Sequence, residues 1–152
     1  SKSHNMAGWR VGMLSGAKAY IDSVLKVKSN FDSGMFKGIQ EAAIQALSLS
    51  DEWHDERNTI YKKRRTLAYE ILDHLKCARS KDQAGLFIWA KVPDQIEDVE
   101  KWLDEILYRA KVFITPGFIF GEQGRQYIRI SLCATEEKLA VSLDRIKTKL
   151  SK

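Results

Sequence analysis

Cysteine is scarce in this chain: Cys77 and Cys133 are its only two, far apart, with no C-x-x-C spacing and no histidine cluster beside either. That argues against a zinc centre and against a disulfide framework, and it suits a reducing cytoplasm. Proline occurs only at Pro93 and Pro116, each closing an apolar stretch. No apolar run approaches the length of a membrane span, and no positively charged start leads into an apolar signal segment, so neither membrane insertion nor export is expected. Internal repeats and low-complexity segments are absent too. The net charge of +5 could favour an anionic partner, but the obvious cluster, Lys62-Lys63-Arg64-Arg65, lies inside a helical pattern without interleaved aromatics. It reads as a solvated helix face, and no nucleic-acid partner is expected.

What is present is an ordinary globular composition, 152 residues with 44% hydrophobic and 30% charged. A chain of this length suits one domain, or one domain with a remnant of another, and buries roughly 70% of its unfolded surface by packing alone. Val11 to Gly16 is a short apolar stretch between glycines, a strand candidate. Ala17 to Lys28 has helical spacing, and the turn-rich Ser29 to Gly34 marks a domain boundary. Met35 to Leu49 reads as a helix, and a longer one follows from a Ser50 cap to about Lys76. Cys77 to Arg79 is a short strand candidate. Leu86 to Val92 is the strongest strand signal, followed by a helix over Asp94 to Ala110, a strand at Val112 to Thr115, a strand at Gln126 to Leu132 and a helix at Glu136 to Leu150. The mixture predicts an α/β fold, a two-layer sandwich whose small, partly antiparallel sheet is covered by helices.

Two places carry chemistry. The first is Ser1-Lys2-Ser3-His4-Asn5-Met6-Ala7-Gly8-Trp9-Arg10-Val11-Gly12. In an extended chain Lys2 and Arg10 would stand roughly 26 Å apart at about 3.3 Å per residue, too far to share a small ligand. A turn must bring them together, and Asn5 and Gly8 tolerate one. Folded back, the loop presents an amine that can form a Schiff base beside a guanidinium that can fork onto a phosphate. Pyridoxal phosphate, a carbonyl-bearing phosphate ester, fits that pair. The second place is Gln126 to Leu132, where alternation puts Ile128, Ile130 and Leu132 on one face and Tyr127, Arg129 and Ser131 on the other. Arg129 is then either part of a solvated strand face or a guanidinium aimed at a carboxylate. Gly117, Gly121 and Gly124 precede it; their spacing is not that of a dinucleotide loop, and they read as shaping the turn that delivers Arg129. His4 neighbours Lys2 and is a candidate for lining the same pocket, whereas His54 and His74 lack ligand spacing. Trp9 reads as a packing residue.

The run S-K-x-x-N-M-A-G-W-R-x-G resembles the cofactor-lysine motif of the fold-type I, class I/II aminotransferases, the aspartate aminotransferase-like group. A second run, Phe113 to Ser131, resembles their closing segment F-x-x-P-G-x-x-F-G-x-x-G-x-x-Y-x-R-x-S, and the two stand in the family's order. The resemblance implies that Lys2 binds pyridoxal phosphate and shuttles the substrate α-proton, that Arg10 binds the cofactor phosphate, and that Arg129 binds the substrate α-carboxylate. A lysine suits the shuttle because its amine can lose charge in a desolvated, cation-rich site. It also implies residues 1–30 as the end of a large cofactor domain, 31–152 as the small C-terminal domain, amino acid and 2-oxo acid substrates, and a homodimeric parent enzyme. The family's phosphate-binding serine and pyridine-nitrogen aspartate would fall before Ser1. The expectation is therefore a C-terminal piece of a longer enzyme, inactive alone, whose first residues pair with another copy or with the rest of the enzyme. Alternatives are a lyase or decarboxylase of the same fold, and the effector domain of an aminotransferase-like transcription regulator.

Overall fold

The computed structural model describes residues 2–150. They form two compact units, the first running to His54 and the second beginning at Asp55. The division between these units falls within a helix.

The first unit holds a 3₁₀ turn, Ala7–Trp9, then α1 (Lys18–Lys28), α2 (Lys37–Leu47) and the first turn of α3 (Asp51–His74). The Val11 to Gly16 stretch forms no strand, and among the described residues no ladder pairs with it. Helix α1 ends where Asn30 Nδ2 and Ser29 Oγ both donate to the Lys26 carbonyl, at 2.6 and 3.1 Å. Neither α1 nor α2 contains a buried residue, so Tyr20, Leu25, Phe36 and Leu47 remain exposed.

The second unit is built on a three-stranded sheet in the order β1-β3-β2, where β1 is Phe87–Lys91, β2 is Thr115–Pro116 and β3 is Tyr127–Ser131. Every pairing is antiparallel, with Trp89 opposite Arg129 and Thr115 opposite Arg129 on the other side. Alternation sends Ile88, Ala90, Ile128 and Ile130 to a buried face. That face shares one core with Ala68, Ile71 and Leu72 of α3, Leu103 and Ile106 of α4 (Val99–Ala110), and Leu143 and Ile146 of α5 (Glu136–Leu150). Each fully buried leucine or isoleucine contributes about 1.5–3 kcal/mol. The layers are those the sequence predicts.

Three element ends differ from expectation. Helix α4 starts at Val99 because the Asp98 carboxylate accepts from the Lys101 N–H at 2.9 Å, an N-cap that outcompetes Asp94; Asp94 instead pairs with Lys91 at 2.6 Å. The expected strand at 112–115 pairs only at Thr115 and Pro116, although Val112 and Ile114 are buried. Cys77 to Arg79 contributes a single bridge, Ala78 with Lys91, made by N–H···O bonds of 2.9 and 2.7 Å.

Candidate active site

The opening loop turns back on itself. Asn5 adopts a left-handed conformation, φ +54°, and its N–H donates to the Lys2 carbonyl at 3.4 Å. The Ala7–Trp9 turn follows, closed by Trp9 N–H on the Met6 carbonyl at 3.1 Å. The second left-handed residue is Arg10, φ +52°, not Gly8. Its Nη1 donates to the Ala7 carbonyl at 3.1 Å, which fixes the guanidinium to its own loop while the side chain stays exposed. Lys2 is exposed as well. Trp9 is half exposed, at 50%.

His4 has a definite place. Its ring stacks on Trp53, centroids 5.6 Å apart and 14° between planes, and meets the edge of His54 at 5.1 Å. Nδ1 is hydrogen-bonded to the Ser3 hydroxyl at 2.9 Å. The residue two positions beyond Lys2 is thus tied to the first turn of α3, a contact between sequence-distant aromatics that no local pattern announces.

In the second unit, the face of the sheet opposite the core carries Phe87, Trp89 and Lys91 on β1 and Tyr127, Arg129 and Ser131 on β3. Arg129 is half-buried there. Its guanidinium carbon lies 4.2 Å from the Phe87 ring centroid and 4.3 Å from that of Phe120, so an aromatic ring flanks the cation on each of two contacts. Arg129 Nε is buried and, like Arg64 Nε, has no hydrogen-bond partner among the described residues. Beside it Trp89 stacks on Tyr127, 5.4 Å and 13°, and meets Phe120 edge-on at 5.8 Å. Lys91 is already engaged with Asp94, whose hydrogen bond raises the amine above its ordinary pKa.

The glycines explain how Phe120 reaches Arg129. Residues 117–120 and 122–124 form two consecutive 3₁₀ turns, with Gly121 at φ +123° between them. A Cβ on Gly117 would press on the Gly124 carbonyl and come within 2.6 Å of the Tyr127 carbonyl, and one on Gly124 would collide with the Gly117 carbonyl. Backbone meets backbone there, and only glycine permits that approach. The loop is a clip carrying Phe120, not a phosphate cradle.

The basic quartet corrects the sequence reading. Lys62 and Lys63 are exposed, as a solvated face requires, but Arg64 and Arg65 are half-buried. Arg65 Nη1 donates to the Gln83 carbonyl at 2.5 Å and Nη2 to the Gly85 carbonyl at 3.0 Å, and Arg64 Nη1 donates to the Leu132 carbonyl at 3.1 Å. They clamp the loop ends of β1 and β3 and are therefore structural. Among the described residues no group of three His, Cys, Asp or Glu could hold a metal ion, and no helix is long and apolar enough to cross a membrane.

Lys2 and Arg10 therefore share one turned loop of the first unit, and Arg129 sits in an aromatic frame in the second. The family model for aminotransferases of class I and II matches residues 1–146. The chain belongs to that family. Over 147 residues it is 39% identical to an LL-diaminopimelate aminotransferase of Halothermothrix orenii, an alignment that takes in 97% of this chain and 38% of that protein. Among solved structures, BacF of Bacillus subtilis superposes with a TM-score of 0.84 at 34% identity, over 97% of this chain and 40% of that one. An aromatic aminotransferase of Pyrococcus horikoshii gives 0.87 at 28% identity, over 99% and 41%. The chain thus spans a little over a third of the length of the curated relative it matches. Within the family frame, the α/β fold with its helix-covered sheet is the expected one.

Proposed function

We propose that the protein containing this chain moves an amino group between an amino acid and a 2-oxo acid, with pyridoxal phosphate as cofactor. The observation that carries the reading is the folded-back loop that bears both the Lys2 amine and the Arg10 guanidinium, each exposed. The donor set fits the cofactor: a primary amine for its carbonyl carbon and a permanently charged fork for its phosphate. When bound, the cofactor supplies a conjugated ring that takes up the electron pair released at the substrate Cα.

The residues of this chain do the rest. Lys2 would hold the cofactor through its amine, and that amine, when free and neutral, is the base placed to take the proton from the substrate Cα. Arg10 anchors the phosphate, with its guanidinium already oriented by the Ala7 carbonyl. Arg129 grips the substrate α-carboxylate, and its half-buried place on the face of β3 opposite the core supports that role. A fixed carboxylate fixes the direction of the Cα–H bond, which is where orientation lowers the barrier. In this reading residues 1–30 close the large cofactor-binding domain, 31–152 form the small domain, and the enzyme is a cytoplasmic homodimer.

The holoenzyme should be assayed with LL-diaminopimelate, the substrate named for the relatives, and a panel of other amino acids, with 2-oxoglutarate as acceptor. Stoichiometric appearance of glutamate and of the donor's 2-oxo acid supports transamination. Release of ammonia or carbon dioxide without amino transfer overturns it in favour of a lyase or decarboxylase using the same three residues.

A further inference from the structure

We infer that Phe87 and Phe120 are positioning residues for the carboxylate-binding cation, acting as an aromatic clamp on Arg129. The inference rests on the reading of Arg129 as the carboxylate grip and adds what makes that grip directional.

A guanidinium hydrogen-bonds only in its plane, through its N–H edges, whereas its two faces are poorly hydrated and attract aromatic rings. Here one ring comes from β1 and the other from the 117–124 clip, at 4.2 and 4.3 Å from the guanidinium carbon. Two such contacts hold the plane against rotation about the long side chain. They also displace water from the cation's flanks, so the remaining in-plane donors meet a carboxylate in a less screened setting. Nε of the same guanidinium is already out of contact with water.

The two rings do not have a core role that would explain them. Phe87 is 39% exposed and Phe120 is 51% exposed, and neither belongs to the hydrophobic cluster beneath the sheet. Phe120 is delivered by a loop whose Gly117 and Gly124 backbones touch, an arrangement that fixes the position of the ring it carries. Trp89, edge-on to Phe120 and stacked on Tyr127, buttresses the same ring from the sheet.

The test uses the holoenzyme and succinate, a carboxylate without an amine to react, with affinity measured by calorimetry. Phe120→Leu and Phe87→Leu should each weaken succinate about 5- to 30-fold, the range of a partly to fully desolvated cation–π contact, and Phe120→Trp should retain binding. In turnover, KM for amino acid and 2-oxo acid should rise together while kcat changes little. In an Arg129→Lys background the Phe120→Leu effect should largely vanish, because an ammonium has no plane to hold; a loss caused by general loosening of the loop would persist there. If Arg129→Ala weakens succinate but both leucine variants bind it normally, or if the Phe120→Leu loss is undiminished in the Arg129→Lys background, the clamp is overturned. If Arg129→Ala leaves succinate binding unchanged, the carboxylate reading falls and the clamp falls with it.

Discussion

Lys2, Arg10 and Arg129 are all basic residues, but the structure holds them in different ways, and the differences set what each substitution should do. Lys2 is exposed on a turn and Arg10 is held by one carbonyl of its own loop. In the holoenzyme Lys2→Ala should abolish the absorbance of lysine-bound cofactor and lower kcat by ~10²–10⁴, the range for a general acid–base group. An unchanged spectrum would remove Lys2 from its assigned role. Arg129→Ala should lower kcat/KM about 10- to 100-fold, as expected for a charged hydrogen-bonded pair worth roughly 1.5–3 kcal/mol. The cysteines give an independent check on the core. Burial pushes the Cys77 thiol up to about 12, whereas Cys133 is exposed. Native protein at pH 8 should therefore alkylate at Cys133 and spare Cys77, as mass spectrometry of the labelled peptides would show. Because the folded thiol titrates above the unfolded one, the protein binds more protons when folded. Stability attributable to Cys77 is full below the unfolded pKa and falls as pH climbs toward 12. Urea melts at pH 8 and pH 10 should show a smaller alkaline loss in Cys77→Ala than in the parent, once the cavity cost common to both pH values is subtracted.

At the level of elements, the site depends on two loops rather than on strand pairing alone. Gln83 completes the edge of β1 with its side chain: Oε1 accepts from Trp89 N–H at 2.7 Å and Nε2 donates to the Trp89 carbonyl at 2.8 Å. Arg65 then holds the Gln83 carbonyl from α3. Gln83→Leu should cost about 1–3 kcal/mol by leaving the half-buried Trp89 backbone unpaired, measurable by chemical denaturation. In the other loop, Gly124→Ala places a methyl against the Gly117 carbonyl. Overpacking of that kind costs about 1–3 kcal/mol, and relief by loop movement would draw Phe120 off Arg129. Its expected signature is a higher KM with the fold intact by circular dichroism; wild-type KM and stability together would show that the glycine contact is not needed. The Asp98 cap that begins α4 was legible in principle, since an Asp three residues before Lys101 is an ordinary N-cap pattern. Asp94 offered the same signal earlier, and nothing local distinguishes the two. In the structure Asp98 caps the helix, and Asp94 pairs with Lys91 at the end of β1.

Across the whole molecule, stability is unevenly placed. The buried cluster lies entirely in residues 68–146, while α1 and α2, each 11 residues long, contain no fully buried residue. Helices shorter than about 12–15 residues are marginal in water without tertiary burial. Hydrogen exchange on the 152-residue chain should therefore show long-lived protection in β1, β3 and α5 and rapid exchange in α1 and α2. Equal protection in both units would contradict that distribution.

Periodicity in the sequence was enough to determine the α/β class, the order of the long elements and the alternation that puts Ile128 and Ile130 on one side of β3 and Arg129 on the other. These follow from bond geometry that repeats every 3.6 or 2 residues and so is written locally. The turn at Asn5 and the family membership were legible for a similar reason, since short motifs carry residues with few conformational substitutes. Contacts made across distance were not. That Arg64 and Arg65 clamp loop carbonyls instead of facing water, that His4 stacks on Trp53, and that Phe87 and Phe120 close on Arg129 depend on which loops meet after the chain has folded. Cation–π and side-chain-to-carbonyl contacts are short-ranged and leave no period in the sequence, so only tertiary structure could assign them.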